Sequence, residues 1–157
     1  MSEPSVTHST FAIERTYPAP PARVFAAWAD PVQKARWSSC HDDWGTAEYH
    51  LDFRIGGSEI NRVGPPGGPV QTVEGHYHDI VPGERIVYSY SMRSDDAPIS
   101  VSLVTVEFEA AEAGTRMTFT EQGAFFGGHH DPAMREEGTR IGLARLDAVL
   151  EGEPAAV

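Results

Sequence analysis

Two amphipathic helices at opposite ends of the sequence constrain the fold more than any other feature. Residues 20–30 and 131–152 both repeat apolar side chains at helical spacing, and in the second segment Leu143, Leu146 and Leu150 share one face. The sequence between them alternates and is broken by turn residues, as strands are. Because both apolar helix faces need a surface to cover, the pattern favours one curved antiparallel sheet that holds a long helix and leaves an apolar hollow at their junction.

The order of the elements along the chain predicts an α+β fold. After a first strand, prolines open a helix, and Asp30 caps a second, shorter helix before the remaining strands begin. Turn residues separate the strands, and residues 123–130 have the glycines of a linker. A strand, two short helices, six strands and a terminal helix is the order of the helix-grip fold, although periodicity alone does not separate it from other α+β sandwiches. The predicted strands are 10–17, 47–55, 58–63, 70–81, 85–92, 100–110 and 115–122.

The length of 157 residues favours a single domain with a core large enough to need no disulfides. We expect this domain to span residues 10–152, between poorly ordered tails at 1–9 and 153–157. Cys40 is the only cysteine, so an internal disulfide is excluded, and no segment reads as a signal peptide or a membrane span. These features predict a cytoplasmic protein.

The chain is acidic, with a formal net charge of −11. A field of this sign repels phosphate backbones, so neither nucleic acid nor a membrane surface is an expected partner. The only lysine, Lys34, is interpreted as a coding bias of the host rather than as a chemical group.

Segments from the whole chain together resemble one protein family. Residues 11–15 read Phe-Ala-Ile-Glu-Arg before a proline-opened helix, and residues 80–90 read Ile-Val-Pro-Gly-Glu-Arg-Ile-Val-Tyr-Ser-Tyr. Residues 104–108 and 114–119 follow as strands, and the terminal helix carries Gly138 before its leucines. In this order they resemble the bacterial proteins similar to the C-terminal domain of the activator of Hsp90 ATPase. Those proteins belong to the START-like, Bet v 1-like superfamily, also named SRPBCC.

The resemblance implies a cavity for an apolar or aromatic small molecule, and it also implies contact with a chaperone as an alternative. Relatives often have a tryptophan where this chain has Thr139, and we expect the smaller residue to enlarge the hollow or change its packing. Relatives also often have a histidine where this chain has Glu121 and Gln122. A role attributed to that histidine in relatives therefore cannot be assigned to this chain.

Side chains that share a strand face indicate which residues line the cavity. Tyr88 and Tyr90 lie on one face of their strand, and Phe119 and Glu121 lie on one face of theirs. Aromatic rings would provide contact area there, while hydroxyl and carboxylate groups would orient a flat ligand; the alternative is an ordinary aromatic core. The predicted cavity residues are Trp28, Trp37, Trp44, Phe53, Tyr88, Tyr90, Met117, Phe119, Glu121, Phe125, Phe126, Thr139 and Leu143.

The reactive groups form no recognisable catalytic or cofactor pattern. His76 and His78 alternate as two metal ligands can, with His41 as a further donor, but a solvated strand face has the same pattern, so no metal is predicted. A carboxylate in an apolar cavity would have its pKa raised toward neutrality, which suits proton transfer. The acid–base candidates are Glu121, Glu107, Glu59, Tyr88 and Arg54, although Glu107 is expected to face away from the core.

The sequence therefore predicts a protein that binds a small hydrophobic or aromatic molecule, without a cofactor, as a monomer or a homodimer. Binding is favoured over turnover because no nucleophile, metal set or cofactor fingerprint stands out. One alternative is an enzyme that resembles the cyclases and hydrolases of the superfamily, with Glu121 or a tyrosine as the proton-transfer group. The other is a co-factor of an Hsp90-type chaperone.

Overall fold

The computed structural model describes residues 5–38, 45–127 and 131–152, and within them a single sheet carries three helices. The strands are β1 Val6–Tyr17, β2 Gly45–Leu51, β3 Ser58–Gly64, β4 Gln71–Val81, β5 Arg85–Ser94, β6 Ala97–Ala111 and β7 Gly114–Phe126. The helices are α1 Pro21–Ala29 and α2 Pro31–Trp37, between β1 and β2, and α3 Pro132–Gly152 at the end.

All neighbouring strands are antiparallel, and their order across the sheet is β1-β7-β6-β5-β4-β3-β2. The sheet curves, and α3 lies against its inner face with α1 and α2 beside it. This arrangement confirms the predicted helix-grip fold: the last strand pairs with the first in one antiparallel sheet, and the long helix α3 follows that last strand.

The helix starts follow the predicted capping chemistry. Proline opens α1 and α2, where its missing N–H has no partner in the helix anyway. The Asp30 carboxylate accepts a hydrogen bond from the backbone N–H of Val32 at 3.3 Å. At α3 the Asp131 carboxylate accepts one from Ala133 at 2.9 Å.

Several strand ends differ from the prediction, because of strand pairing or turn geometry. β1 begins at Val6, inside the predicted tail, because Val6 pairs with Phe126 of β7. The prediction of a linker from residue 123 was therefore wrong for its first part, since β7 continues to Phe126 between two partner strands. β2 ends at Leu51 rather than at residue 55, because the next residues form a tight turn in which Gly56 has a φ of 84°.

The core lies between the inner sheet face and the helices. Tyr17, Trp28 and Leu143 are almost completely buried there, and the Tyr17 hydroxyl donates a hydrogen bond to the Leu143 carbonyl at 2.9 Å, which ties β1 to α3. Gly142 explains the close approach of α2 and α3, because a Cβ at this position would lie 3.2 Å from the carbonyl oxygen of Trp37.

Candidate functional site

A cavity of about 950 Å³ lies between the inner face of the sheet and α3. Its volume falls in the upper part of the range of roughly 300–1,000 Å³ that is typical of small-molecule sites. The wall is mainly apolar: α1 and α2 contribute Trp28 and Trp37, the sheet contributes Tyr88 and Phe119, and α3 contributes Leu143. The sheet also contributes Tyr90, Met92, Ile99, Val63 and Val73 to the wall.

Most of the residues that the sequence predicted for the cavity lie in its wall. They come from four separate parts of the chain: the two short helices, β5, β7 and α3. β5 and β7 come close together because they lie on either side of β6. The predicted residues in the wall are Trp28, Trp37, Tyr88, Tyr90, Phe119, Glu121, Thr139 and Leu143.

The other predicted residues occupy different places. Met117 is completely buried in the core below the cavity. Phe53 packs edge-on against Tyr77, with ring centroids 5.0 Å apart, because it follows β2 in a turn and not in a strand. Phe125 is buried outside the wall, Phe126 points to the opposite sheet face from Phe125, and Trp44 lies outside the described residues.

One end of the cavity contains a buried ion pair, which we name the Lys34 cluster: Lys34, Glu59, Tyr49 and Tyr77. The Lys34 ammonium donates to both carboxylate oxygens of Glu59, at 3.0 and 2.9 Å, and the exposed fractions of the two residues are only 4% and 8%. The hydroxyls of Tyr49 and Tyr77 donate to the same carboxylate at 2.8 and 3.1 Å. Glu59 is therefore held by four hydrogen bonds.

Three aromatic rings also lie near the ammonium of Lys34. Its Nζ atom lies 5.4 Å from the ring centroid of Trp28, 5.7 Å from that of Trp37 and 5.9 Å from that of Tyr88. These distances are within the range of cation–π attraction, which strengthens when the cation is removed from water. The sequence interpretation gave Lys34 no chemical role, and that part of it was wrong.

The other end contains a second buried ion pair, which we name the Glu121 cluster: Glu121, Arg135, Tyr90 and Ser100. The Tyr90 hydroxyl donates to Oε2 of Glu121 at 2.7 Å, and the Arg135 guanidinium donates to the same oxygen at 3.3 Å. The guanidinium also donates to the hydroxyls of Tyr90 at 2.9 Å and Ser100 at 2.7 Å. Arg135 and Glu121 are 7% and 2% exposed.

The sequence contained signals for both missed cations. Lys34 precedes Trp37 by one helical turn, and Arg135 precedes Thr139 and Leu143 by one and two turns, so each shares a helix face with predicted cavity residues. The sequence alone did not show that a charged residue would point inward. That outcome depends on the carboxylate that β3 or β7 places opposite each cation.

The tyrosines of the cavity act as neutral hydroxyl groups near pH 7. Burial raises the pKa of Tyr88 and of Tyr90 well above the value of a free tyrosine, and the Glu121 carboxylate raises the pKa of Tyr90 further. Both hydroxyls are therefore hydrogen-bond donors and acceptors rather than proton-abstracting bases at neutral pH.

The remaining candidates from the sequence lie away from the cavity. Glu107 is exposed on the outer sheet face, as predicted, and Arg54 is an exposed partner of Asp52. His78 is exposed and contacts the Ser89 hydroxyl, and His41 lies outside the described residues. In the described ranges, no three histidine, cysteine or carboxylate side chains come together as a metal site would require.

A curved antiparallel sheet around a long C-terminal helix, with an apolar cavity between them, defines the class of START-like proteins with the helix-grip fold. Within that class, the sequence profile described as activator of Hsp90 ATPase homolog 1-like protein matches residues 18–151. The chain belongs to this family, which confirms the resemblance in the sequence. No protein with a curated description matches the chain.

Solved structures agree with this assignment. An uncharacterised protein from Rhizobium leguminosarum is 47% identical, with a TM-score of 0.92 over 97% of this chain and 100% of its own. The Mll3558 protein from Rhizobium loti is 50% identical, with a TM-score of 0.85 over 92% of this chain and 98% of its own. An AHSA1-like protein from Aeromonas hydrophila, 23% identical, shares the fold with a TM-score of 0.70 over 92% of this chain and 93% of its own. Among the described helices, none has the length and apolarity needed to span a bilayer.

Proposed function

We propose that the protein binds a small hydrophobic or aromatic molecule in the cavity between the sheet and α3. The observation that supports this most is the cavity itself, whose volume of about 950 Å³ is bounded by tryptophan, tyrosine and phenylalanine rings. A filled core would be the more stable arrangement, because unfilled apolar volume costs stability. The cytoplasmic location and the choice between monomer and homodimer stay predictions.

Titration with a panel of aromatic and acyl compounds tests this function. Trp28 and Trp37 lie in the wall, so binding is expected to change tryptophan fluorescence. A ligand at about 100 times its Kd stabilises the folded state by about 2.7 kcal/mol, which raises the Tm of a chain of this size by roughly 5–10 °C. If no compound of a broad panel shifts either signal, the proposal is wrong.

The chain offers a matched pair of variants as a control. Val73 lines the cavity, whereas Val101 is 47% exposed on the outer face of the sheet. Val73→Phe is expected to weaken binding because the larger ring occupies ligand space, and Val101→Phe is expected to leave binding unchanged. Equal effects of the two substitutions would indicate binding outside the cavity.

Catalytic turnover of the bound molecule is a second candidate, and the position of Glu121 favours it. This carboxylate lies in the cavity wall and hydrogen-bonds the Tyr90 hydroxyl, so it can exchange a proton with a bound substrate. An enzyme would show a pH-dependent rate that is lost in Glu121→Gln while the fold persists. If none of the bound compounds is consumed over many hours, turnover of the compounds tested is excluded.

Family membership supports a third candidate, contact with an Hsp90-type chaperone. This function requires binding to an Hsp90 homologue and a change of its ATPase rate. A purified homologue whose ATPase rate does not respond to excess protein would rule this candidate out for that homologue.

A further inference from the structure

Each of the two ion pairs in the cavity wall has one hydrogen-bonding group, an N–H of Lys34 or a carboxylate oxygen of Glu121, that no described residue engages. We propose that the ligand is a neutral, flat aromatic molecule with a hydrogen-bond acceptor, such as a carbonyl oxygen, at Lys34 and a hydroxyl donor at Glu121. This inference rests on the proposed binding function and adds the chemical class and the orientation of the ligand.

The acceptor of the ligand is assigned to Lys34 because this residue has an unused donor. An ammonium carries three N–H bonds, and Lys34 uses two of them, one for each carboxylate oxygen of Glu59. Its side chain lies in the cavity wall, and its third N–H has no acceptor among the described residues. Trp28 lies at the same end, and its buried indole N–H also has no partner within the described part of the chain. This end therefore provides donors that a carbonyl oxygen can satisfy.

The donor of the ligand is assigned to Glu121 because one of its carboxylate oxygens is unused. Tyr90 and Arg135 both donate to Oε2, and Oε1 accepts no hydrogen bond from the residues that the structure describes. The residue is 2% exposed and lies in the cavity wall. Arg135 is occupied by Glu121, Tyr90, Ser100 and Met92, so this end offers mainly an acceptor.

The balance of charge favours a neutral ligand over a carboxylate. Each buried cation already faces its own carboxylate, Lys34 with Glu59 and Arg135 with Glu121. An anionic ligand would bring a further buried negative charge without an unpaired cation to meet it, which is costly. The carboxylate of Glu137 in the cavity wall and the net charge of −11 also disfavour an anionic ligand.

The spacing of the tyrosine rings beside the two clusters fits a ligand of two aromatic rings. The Lys34 ammonium lies over Tyr88 and the Arg135 guanidinium over Tyr90, and the centroids of these two tyrosine rings are 6.2 Å apart. A fused two-ring molecule that lies along β5 can therefore contact both rings and present a substituent to each end.

Four naphthalenes of similar shape test the proposal. 6-Acetyl-2-naphthol carries both groups, 2-acetylnaphthalene only the carbonyl, 6-ethyl-2-naphthol only the hydroxyl, and 2-ethylnaphthalene neither. In calorimetric titration, 6-acetyl-2-naphthol is expected to have the lowest Kd of the four. Each polar group is expected to lower the Kd about tenfold, because a hydrogen bond to a charged group contributes more than a neutral one. Replacing the acetyl group by a carboxylate, as in 6-hydroxy-2-naphthoic acid, is expected to weaken binding.

Protein variants assign each group to its end of the cavity. Glu121→Gln is expected to remove most of the affinity gained from the hydroxyl, whereas Glu107→Gln, which makes the same charge change on the outer face of the sheet, is expected to preserve it. The double variant Lys34→Met/Glu59→Gln removes the other pair without leaving an unpaired charge, and it is expected to remove the advantage of the carbonyl. Tm and circular dichroism check that each variant folds.

The outcomes separate this inference from the proposed function. If all four naphthalenes bind equally well, the cavity binds aromatic molecules but the assigned polar contacts are wrong. If a polar group improves binding in the wild type and the same improvement persists in the variants, the assigned ends are wrong. If none of the four binds, both the inference and its underlying function fail for this class of molecule. The comparison of probes on the wild-type protein decides the chemical class even if a variant does not fold.

Discussion

Removal of the Lys34 side-chain charge is expected to destabilise the protein strongly, because it leaves Glu59 buried without a cation. Breaking a buried ion pair from one side costs about 3–5 kcal/mol. In Lys34→Met the apolar stem is retained, and Glu59 keeps the hydroxyl donors of Tyr49 and Tyr77 at 2.8 and 3.1 Å. We therefore expect a loss near the lower limit, about 3 kcal/mol.

The double variant Lys34→Met/Glu59→Gln supplies the decisive comparison. It removes both charges, and the glutamine amide at position 59 can accept a hydrogen bond from one of the two tyrosine hydroxyls through its oxygen and donate one to the other through its NH2 group. Its free energy of unfolding is therefore expected to lie within about 1 kcal/mol of the wild type. The two single substitutions are expected to be strongly non-additive, as those of residues in direct contact are.

Urea unfolding at pH 7, followed by far-UV circular dichroism, measures these differences. A loss of about 3 kcal/mol lowers the urea midpoint by roughly 1–2 M for a protein of this size. Circular dichroism is preferable to fluorescence because Trp28 and Trp37 lie next to the ammonium. A loss below about 1 kcal/mol in Lys34→Met, or a double variant as unstable as the single one, would refute the reasoning that the charge is buried and paired.

Three further predictions follow from burial, backbone geometry and cavity volume. Burial raises the pKa of Tyr17 and of Tyr77, so above pH 10 the unfolded chain loses protons that the folded state keeps. The free energy of unfolding is therefore expected to fall above pH 10 by up to about 1.4 kcal/mol per pH unit for each tyrosine; a flat profile from pH 9 to 11 in urea titrations would contradict this. Gly114→Ala is expected to lower the free energy of unfolding by about 3 kcal/mol, because φ is 142° and a Cβ would overlap the Tyr17 carbonyl. Gly83→Ala, which has open space around it, is expected to lower it by only about 1 kcal/mol in the same chemical unfolding experiment. Thr139→Trp is expected to raise the Kd of cavity ligands about tenfold by filling the wall position on α3, and unchanged affinity in calorimetry would show that this position does not limit ligand space.

The amphipathic patterns were sufficient for the α+β class and for the order of the elements, because helical and strand periodicities are local properties of the sequence. The choice of the helix-grip fold among α+β sandwiches needed the family resemblance as well. They also identified Tyr88, Tyr90 and Glu121, since alternation along a strand decides which side chains share a face. The ends of the strands were harder to predict from the sequence. Phe125 and Phe126 looked like part of a glycine-rich linker, and only the presence of β1 and β6 on both sides makes that segment a strand.

Lys34 illustrates what the sequence could not provide. A lysine on a short helix is normally solvated, because burial of an unpaired ammonium is costly. Its burial here depends on Glu59, which lies 25 residues further along the chain and reaches the same place only because the sheet curves under α2. The same argument applies to Arg135, whose carboxylate partner comes from β7.

The sequence by itself determined the elements, their order and the aromatic character of the inner sheet face, because these follow from local periodicity, capping and composition. Its resemblance to a known family indicated the helix-grip class. Only the tertiary structure decided that space remains between the sheet and α3, and that each end of this space holds a buried ion pair. Such features arise where side chains from distant segments meet, and the free energy of burying a charge depends on the partner that the fold places beside it.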